Sequence, residues 1–451
     1  MGKKICVIGM GYVGIPAAAL LADVEDFYVI GIQRRSKRSG WKIDYLNQGN
    51  NPIGGDEPGL SELIERVVKN KKFRVTDDYN ECKDADIILF DVQTPTDENN
   101  VPRYESLKEV SHTVGRIMPK NVLIVIESTV APGTTENIVK PILEKQSGMK
   151  AGKDFSLAFS YERVMVGRLI HNITKYPRVI GGIDEKSTNK AMEIYKKIVQ
   201  APLHPTDAMT AEVSKVVENT YRDVNIAFAN EVALMCESLN VDVFKVRELV
   251  NNLPNDPSNP AANPVRNMHF PGAGVGGHCL PKDPWLFKYG VDNYGKFKVD
   301  PNVIVKSRHI NMYMPKHTVD LLEDALKQAG KKLENTKIAT LGVAFLENSD
   351  DTRNTPTKQF YEITKEKGAN PVLHDPYVRD FDYPFTSDLE EVLENSDAMV
   401  LLAKHKDYLD LDLKEIKKKM NTPIIIDGRN TYNKEECEKL GFIYRGVGKP
   451  R

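Results

Sequence analysis

Short apolar runs rich in Val and Ile alternate with amphipathic stretches over the first 200 or so residues. These runs predict strands at residues 4–8, 28–32, 87–90 and 122–126. Strands that are apolar throughout and separated by helical stretches are typical of a parallel sheet covered by helices. The amino-terminal part is therefore predicted to be an α/β domain.

A different pattern begins after residue 205, where helical spacing with few turn residues predicts one helix from about residue 209 to residue 239. From residue 336 the alternation resumes, and it predicts a helix from about residue 356 and strands at residues 338–344, 370–374, 398–403 and 423–426. We therefore predict two Rossmann-like parallel-sheet domains joined by a long central helix, in segments 1–205, 206–315 and 316–451.

The sequence GMGYVG at residues 9–14 follows the first predicted strand and opens a predicted helix. In this context the glycines let the backbone approach a pyrophosphate, which binds at the amino terminus of the helix. We therefore predict a dinucleotide site that includes Gly9, Gly11, Tyr12, Val13 and Gly14.

The acidic residue expected after the second strand is absent, because Gln33 stands there and is followed by Arg34 and Arg35. Gln33 can bond a ribose hydroxyl, whereas the arginines could accept the 2′-phosphate of NADP or form an ordinary solvated pair. This segment leaves the choice between NAD and NADP open. Thr94 and Thr129 follow further predicted strands and are expected where ligands bind, although each could instead cap a helix.

Composition narrows the class of partner. The chain of 451 residues has a net charge of −1, which provides no general attraction for nucleic acid or for an anionic membrane. Its five cysteines are scattered and its nine histidines are dispersed, so neither a disulfide framework nor a metal site is indicated. Without a signal peptide or a membrane-spanning apolar run, the sequence predicts a cytoplasmic protein.

The segment GGHCLPKD at residues 276–283 places one thiol, that of Cys279, among glycines and close to Lys282 and Asp283. Glycines permit close approach of a substrate, and a nearby cation favours the thiolate, which attacks carbonyls. A cysteine that fills a small space near a turn is the alternative. The segment taken alone leaves both interpretations open.

Lys215 and Asn219 lie four residues apart in the predicted long helix and so share one of its faces. Together they could present an ammonium group and an amide to a ligand. Because most lysines on helices are solvated, the pair taken alone is better explained as surface.

The sequences YERVMVG at residues 161–167 and DDTRNTP at residues 350–356 resemble the Pro-Glu-Arg-Val and Asp-x-Arg-x-Ser/Thr-Pro motifs of UDP-sugar dehydrogenases. Together with the dinucleotide loop, the helix with Lys215 and Asn219, and the cysteine segment, they make five motifs in order across nearly the whole chain. The chain thus resembles the UDP-glucose/UDP-N-acetylmannosamine 6-dehydrogenase family.

The resemblance implies an NAD-dependent, four-electron oxidation of the C6 alcohol of a UDP-hexose to a carboxylate. Cys279 would add to the C6 aldehyde as a thiohemiacetal, whose oxidation gives a thioester that water hydrolyses. The resemblance also implies that segment 1–205 binds the dinucleotide, that segment 206–315 is a linking and dimerisation domain with the catalytic Lys and Cys, and that segment 316–451 binds the UDP-sugar.

Roles for individual residues follow from the same resemblance. Lys215 and Asp283 would manage protons and stabilise oxyanion charge, and Asn219 would orient the reacting oxygen. Glu162 would help to activate the hydrolytic water, and Thr129 would position it. The expected cofactor contacts are Gly9, Gly11, Tyr12, Val13, Gly14, Gln33, Arg34, Arg35, Thr94, Thr129 and Arg353. The expected substrate contacts are Glu162, Arg163, Val164, Arg168, His171, Asn172, Lys215, Asn219, Arg222, Arg266, Gly272, Lys282 and Phe345.

Three positions depart from the family pattern. Tyr161 and Val166 stand where prolines are usual, and Leu346 follows Phe345 where a lysine is common. The substrate contact made by that lysine is therefore not expected here. Arg353 is expected at the cofactor or at a diphosphate, with a salt bridge to a neighbouring aspartate as the alternative.

Residues 167–182 and His278 resemble the branch of the family that acts on UDP-N-acetylmannosamine. The resemblance implies that Arg168, His171 and Asn172 contact the sugar or its acetamido group. UDP-N-acetylglucosamine and then UDP-glucose are the next expected substrates.

Apolar residues on more than one face of the central helix indicate burial on several sides, and the resemblance implies a homodimer or higher homo-oligomer. A helix packed wholly within one subunit is the alternative. Arg266 resembles a family arginine that can reach a neighbouring subunit's active site. Two other functions stay open: a two-electron hydroxyacid dehydrogenase that needs no thiol, and a non-catalytic nucleotide-sugar sensor.

Overall fold

The computed structural model describes residues 2–37, 39–252, 258 and 267–451. The chain divides into two compact units, which are unit 1 (Met1–Glu218 with Trp285–Asp300) and unit 2 (Asn219–Pro284 with Pro301–Arg451). Each unit contains a sheet built mainly from parallel strands, and one helix of 31 residues matches the predicted central helix. The predicted fold class is confirmed.

The strands are β1 (Lys3–Ile8), β2 (Phe27–Ile32), β3 (Phe73–Thr76), β4 (Ile87–Phe90), β5 (Leu123–Ile126), β6 (Ser156–Phe159), β7 (Arg178–Gly182), β8 (Leu203–Asp207), β9 (Lys337–Leu341), β10 (Asn370–His374), β11 (Phe385–Thr386), β12 (Ala398–Leu401), β13 (Ile424–Asp427) and β14 (Ile443–Gly446).

The helices are α1 (Gly14–Ala22), α2 (Trp41–Asn47), α3 (Leu60–Lys69), α4 (Glu105–Ile117), α5 (Lys140–Ser147), α6 (Leu169–Lys175), α7 (Glu185–Tyr195), α8 (Ala208–Ser238), α9 (Val243–Asn251), α10 (Asp283–Tyr294), α11 (Asn302–Gln328), α12 (Pro356–Glu366), α13 (Leu389–Leu393), α14 (Leu413–Lys419) and α15 (Lys434–Lys439). No helix within the described ranges is long and apolar enough to cross a membrane.

The sheet of unit 1 has the order β3-β2-β1-β4-β5-β6-β7-β8. Neighbouring strands are parallel except β6 and β7, which are antiparallel, a detail that the sequence pattern did not indicate. Antiparallel neighbours can be joined at a single edge of a sheet, and residues 160–177 make that connection. The motif at residues 161–167 therefore lies at the carboxyl edge of the parallel strands, where ligands bind in such sheets.

Side chains alternate along β1 between two hydrophobic cores. Ile5 and Val7 belong to one core, and Cys6 and Ile8 belong to the other. Because both faces of the sheet are covered, its central strands β4 and β5 are apolar throughout.

The sheet of unit 2 has the order β11-β10-β9-β12-β13-β14, and its neighbouring strands are parallel. The strand predicted to reach residue 344 ends at Leu341, because Gly342 has a φ of +99° and turns the chain. The Asp375 carboxylate then accepts hydrogen bonds from the N–H groups of Val343 and Ala344 at 2.8 and 2.9 Å. These contacts fix the start of the loop that follows β9.

Candidate active site

The turn between β1 and α1 has the backbone that its glycines allow. Gly9 has a φ of +112°, where a side chain would overlap the Asp91 carbonyl, and a side chain at Gly14 would overlap the Gly9 carbonyl. A Cβ at Gly11 would have no atom of the described residues within 4 Å. The turn therefore has an open face beside the start of α1, as a bound pyrophosphate requires.

At the end of β2 the Gln33 amide is held within the protein. Its Oε1 accepts a hydrogen bond from the Met10 N–H, and its Nε2 donates to the Ser39 hydroxyl, both at 3.0 Å. Arg35 is exposed and pairs with Asp77 at 3.1 Å. A 2′-phosphate would have to compete with that carboxylate, so this segment fits NAD better than NADP.

Thr94 and Thr129 come together at the carboxyl edge of the sheet. The Thr94 hydroxyl donates to the Thr129 carbonyl at 2.6 Å, which ties the loop after β4 to the loop after β5. Among the other predicted cofactor contacts, Tyr12 and Val13 are half-buried and Arg34 is exposed.

Unit 1 also contains a buried group of ionisable side chains that the sequence pattern did not indicate. The Glu127 carboxylate accepts hydrogen bonds from Arg178 and from the Tyr195 hydroxyl, the latter at 2.8 Å. Burial, reinforced by the nearby negative charge of Glu127, raises the pKa of Asp91 well above its ordinary value. The raised pKa favours the neutral form of Asp91 in the folded protein. Each acid directly follows an apolar strand, which is the sequence signal for this pair.

Lys215 and Glu162, both predicted to be catalytic, are brought together in unit 1. The Lys215 ammonium donates to the Glu162 carbonyl at 3.0 Å and lies 5.1 Å from the centre of the Tyr161 ring. The Glu162 carboxylate accepts from the Val164 N–H at 2.8 Å, and burial raises its pKa while Lys215 opposes the rise. Tyr161, at a usual proline position, thus supplies an aromatic face for the ammonium.

The segment that follows is anchored by Glu57, whose carboxylate accepts from two backbone N–H groups near the start of α6. Arg163 pairs with a carboxylate of α8 at 2.8 Å. Asn172 is buried, and its amide donates to the Arg163 carbonyl at 3.2 Å. Arg168 and His171 are exposed. Asn172 therefore stabilises the backbone of the motif at residues 161–167, whereas Arg168 and His171 are accessible to a ligand.

In unit 2 the loop that carries Cys279 is fixed against the loop after β9. The Gly277 N–H donates to the Arg353 carbonyl at 2.8 Å, and the Asn354 amide donates to the Gly277 carbonyl at 3.0 Å. A Cβ at Gly277 would lie 3.0 Å from the Phe345 ring. The close packing of these two loops explains why a glycine stands at position 277, two residues before the cysteine.

A tight turn leads from Cys279 into α10. The Cys279 carbonyl accepts from the N–H groups of Lys282 and Asp283 at 3.0 and 2.8 Å. The buried Asp283 carboxylate accepts from the Asn219 amide at 2.5 Å. Burial, together with the positive charge of Lys282, lowers the pKa of His278 to about 2, so its ring is neutral. Cys279 itself is half-buried, whereas the other four cysteines are buried.

The remaining predicted residues differ in their surroundings. Arg222 is exposed on α8, and Gly272 is buried against the Arg429 guanidinium. Arg266 lies outside the described residues. Arg353 pairs with an aspartate two residues away at 2.8 Å, which is the predicted alternative. Arg429 was not among the predicted residues. Its guanidinium donates to a backbone carbonyl at 2.7 Å, and its signal in the sequence is a basic residue close after a buried strand.

Within the described ranges, no group of three or more His, Cys, Asp or Glu side chains could hold a metal ion.

Comparison with known proteins covers almost the whole chain. The UDP-glucose/GDP-mannose dehydrogenase family matches through its NAD binding domain at residues 3–199, its central domain at residues 209–313 and its UDP binding domain at residues 339–434. The chain belongs to this family. The protein is therefore an NAD-dependent oxidoreductase of a UDP-sugar, and the predicted family, enzyme class and cofactor are confirmed.

Individual dehydrogenases of this family are similar to this chain over nearly their full length. The UDP-N-acetyl-D-mannosamine dehydrogenase of Methanocaldococcus jannaschii is 35% identical over 98% of this chain and 96% of its own. The solved UDP-D-ManNAc dehydrogenase of Pyrococcus horikoshii is 37% identical, covers 99% of both chains and has a TM-score of 0.89. The solved NDP-N-acetyl-D-galactosaminuronic acid dehydrogenase of Methanosarcina mazei Go1 is 43% identical, covers 99% of this chain and 95% of its own, and has a TM-score of 0.86.

Proposed function

We propose that this dehydrogenase oxidises the C6 alcohol of UDP-N-acetyl-D-mannosamine to the carboxylate of UDP-N-acetyl-D-mannosaminuronate. The observation that carries the proposal is the half-buried thiol of Cys279, held in a glycine loop at the start of α10. Relatives at 33 to 37% identity over nearly their whole length are named for the mannosamine nucleotide, which supports this sugar.

In the overall reaction a CH₂OH group, two NAD⁺ and one water become a carboxylate, two NADH and three protons. NAD accepts a hydride in each of the two oxidations. Cys279 adds to the C6 aldehyde, so that a thiohemiacetal forms and its oxidation leaves a thioester. Water then hydrolyses the thioester, which releases the carboxylate and restores the thiol. One thiol thus holds the sugar through the second oxidation.

Five side chains take the supporting roles. The Lys215 ammonium, placed by the Glu162 carbonyl, stabilises negative charge on the reacting oxygen. The Glu162 carboxyl, whose pKa burial raises, acts as the base for the hydrolytic water that Thr129 positions. The Asp283 carboxylate takes part in proton transfer, and Asn219, which bonds it, also orients the reacting oxygen.

The predicted binding contacts extend this proposal. The open face at Gly11 receives the pyrophosphate of NAD, while Arg168 and His171 contact the sugar. Segments 1–205, 206–315 and 316–451 act as the dinucleotide, linking and UDP-sugar domains. The five cysteines, scattered along the sequence, fit a reducing compartment, which supports a cytoplasmic location.

A homodimer belongs to the same proposal. Tyr221, Phe228 and Met235 are seven residues apart on α8 and are 67%, 57% and 60% exposed. Residues at this spacing share one face of a helix. A second copy of the chain can cover this apolar stripe by presenting the same face in a symmetric pair.

The test is an assay of purified protein with UDP-N-acetyl-D-mannosamine and NAD, followed through the absorbance of the reduced nicotinamide. Two NADH per sugar are expected, and a yield of one would overturn the thioester route. UDP-N-acetylgalactosamine is the second candidate because of the 43% identical relative, and faster turnover of that sugar would replace the mannosamine assignment. UDP-N-acetylglucosamine, UDP-glucose and NADP complete the panel.

A further inference from the structure

Helices α8 and α11 are joined within unit 2 by a buried network of hydrogen bonds. The network ends at the segment that carries Cys279, residues 272–283, here called the cysteine loop. The Asp223 carboxylate accepts from Arg308 and from the Asn311 amide, the latter at 2.9 Å. The Asn230 amide donates to the Asn311 oxygen at 2.9 Å, and the Asn230 oxygen accepts from the Gly272 N–H at 3.0 Å.

The charge of Asp223 fixes which group donates and which accepts in each hydrogen bond of this network. A carboxylate only accepts hydrogen bonds, so Asn311 must turn its NH₂ group toward Asp223 and its oxygen toward Asn230. Asn230 then donates to Asn311, which leaves its own oxygen for the Gly272 N–H. The four side chains are at most 2% exposed, so water cannot easily replace a lost partner. Each amide therefore has one orientation that satisfies its neighbours.

The cysteine loop is bound to α8 at both of its ends. Asn230 holds the loop at Gly272, and Asn219 holds it at Asp283, with Cys279 between these two points. Asn219 and Asn230 are eleven residues apart, which is about three turns and places them on one face of the helix, roughly 16 Å apart along its axis. The helix thus sets the distance between the two ends of the loop.

We propose that Asn230 is a positioning residue for Cys279, oriented for this task by Asp223 and Asn311. It touches no reacting group. It fixes the backbone of Gly272 and so the placement of the loop from which the thiol attacks. This role rests on the proposed function of Cys279 as the nucleophile. Misplacing a reacting group by about 1 Å can cost about 100-fold in rate.

Asn230→Leu is the test variant, and Glu237→Leu is its matched control. Glu237 also lies on α8, bonds His317 of α11 at 2.9 Å and accepts from a glycine N–H, that of Gly448, at 2.8 Å. Both substitutions therefore remove a buried link between the same two helices, but Glu237 does not bond the cysteine loop. For each variant we would measure the iodoacetamide alkylation rate of Cys279 by mass spectrometry, kcat and the KM for NAD.

For Asn230→Leu we expect kcat to fall about 10- to 100-fold and the alkylation rate to change at least about fivefold, with the KM for NAD unchanged. Glu237→Leu should change the alkylation rate and kcat less than about twofold. An unaltered alkylation rate in Asn230→Leu, or equal effects of the two variants, would overturn the proposal. If Asn230→Leu does not fold, Asn230→Ser is measured in its place. Alkylation needs neither sugar nor NAD, so a failed sugar assay leaves this test intact.

Discussion

Cys279 is held through its backbone, because neighbouring N–H groups bond its carbonyl. We expect Cys279→Ala to reduce the two-step turnover by about 10³-fold or more, since the thioester can no longer form. NADH formation with the UDP-sugar measures the loss. Cys236→Ala is the control, because that thiol is buried at the end of α8 and should leave turnover close to the parent value. Near-normal turnover in Cys279→Ala would favour a two-electron enzyme.

The raised pKa of Asp91 makes the stability of the fold depend on pH. Because the pKa of Asp91 is raised in the folded protein, its contribution to stability is full below the unfolded pKa of about 3.9 and is lost as pH rises toward the folded value. Asn at this position carries no charge and has nearly the same size and shape as Asp. Asp91→Asn should therefore be more stable than the parent near neutral pH, by about 1.4 kcal/mol for each unit of the raised pKa.

Thermal unfolding at a series of pH values checks this expectation, and the gain should shrink toward pH 4. Asp380→Asn, at an exposed position, is the control. A gain of the same size in both variants, or one that does not vary with pH, would contradict the raised pKa of Asp91.

At the scale of elements, two glycines of the turn between β1 and α1 have different roles. Gly11 is expected to affect cofactor binding, and Gly14 is expected to affect folding. A Cβ at Gly11 meets open space, whereas a Cβ at Gly14 would overlap the Gly9 carbonyl. Gly11→Ala should keep the parent Tm and raise the KM for NAD about tenfold or more, because the methyl group occupies the face meant for the pyrophosphate. Gly14→Ala should instead lower the Tm. Thermal melts and NAD titrations distinguish these outcomes, and a lower Tm with an unchanged KM in Gly11→Ala would contradict the assignment.

Most elements could be predicted from local patterns, because a run such as Ile87–Phe90 is apolar on both faces and the glycines of the first turn have a fixed spacing. The antiparallel direction of β7 could not be predicted, because it depends on how residues 160–177 connect β6 to β7. Likewise, the Glu127–Arg178 pair and the Asn230–Gly272 bond join residues 51 and 42 positions apart. Such contacts arise only when distant segments pack together, and one sequence carries no periodic signal for them.

At the scale of the whole molecule, the apolar stripe on α8 predicts the state of assembly. Phe228→Asp places a charge in the proposed contact between two copies, so the homodimer should dissociate at least about tenfold more readily. Sedimentation velocity across a range of protein concentrations measures the change. Phe297→Asp is the control, because Phe297 is 75% exposed but lies away from α8 in the sequence. Equal dissociation in both variants, or none in Phe228→Asp, would contradict a dimer formed through this stripe.

The unequal exposure of the five thiols has a chemical consequence for the cell. Peroxide would reach Cys279 first and convert it to a sulfenic acid, which thiol reductants reverse, whereas further oxidation to the sulfinic acid would be permanent. The buried thiols would be spared, so a folded but inactive enzyme would accumulate. The supply of uronate would then fall under oxidative stress without any loss of protein, and it would recover with the reducing power of the cell.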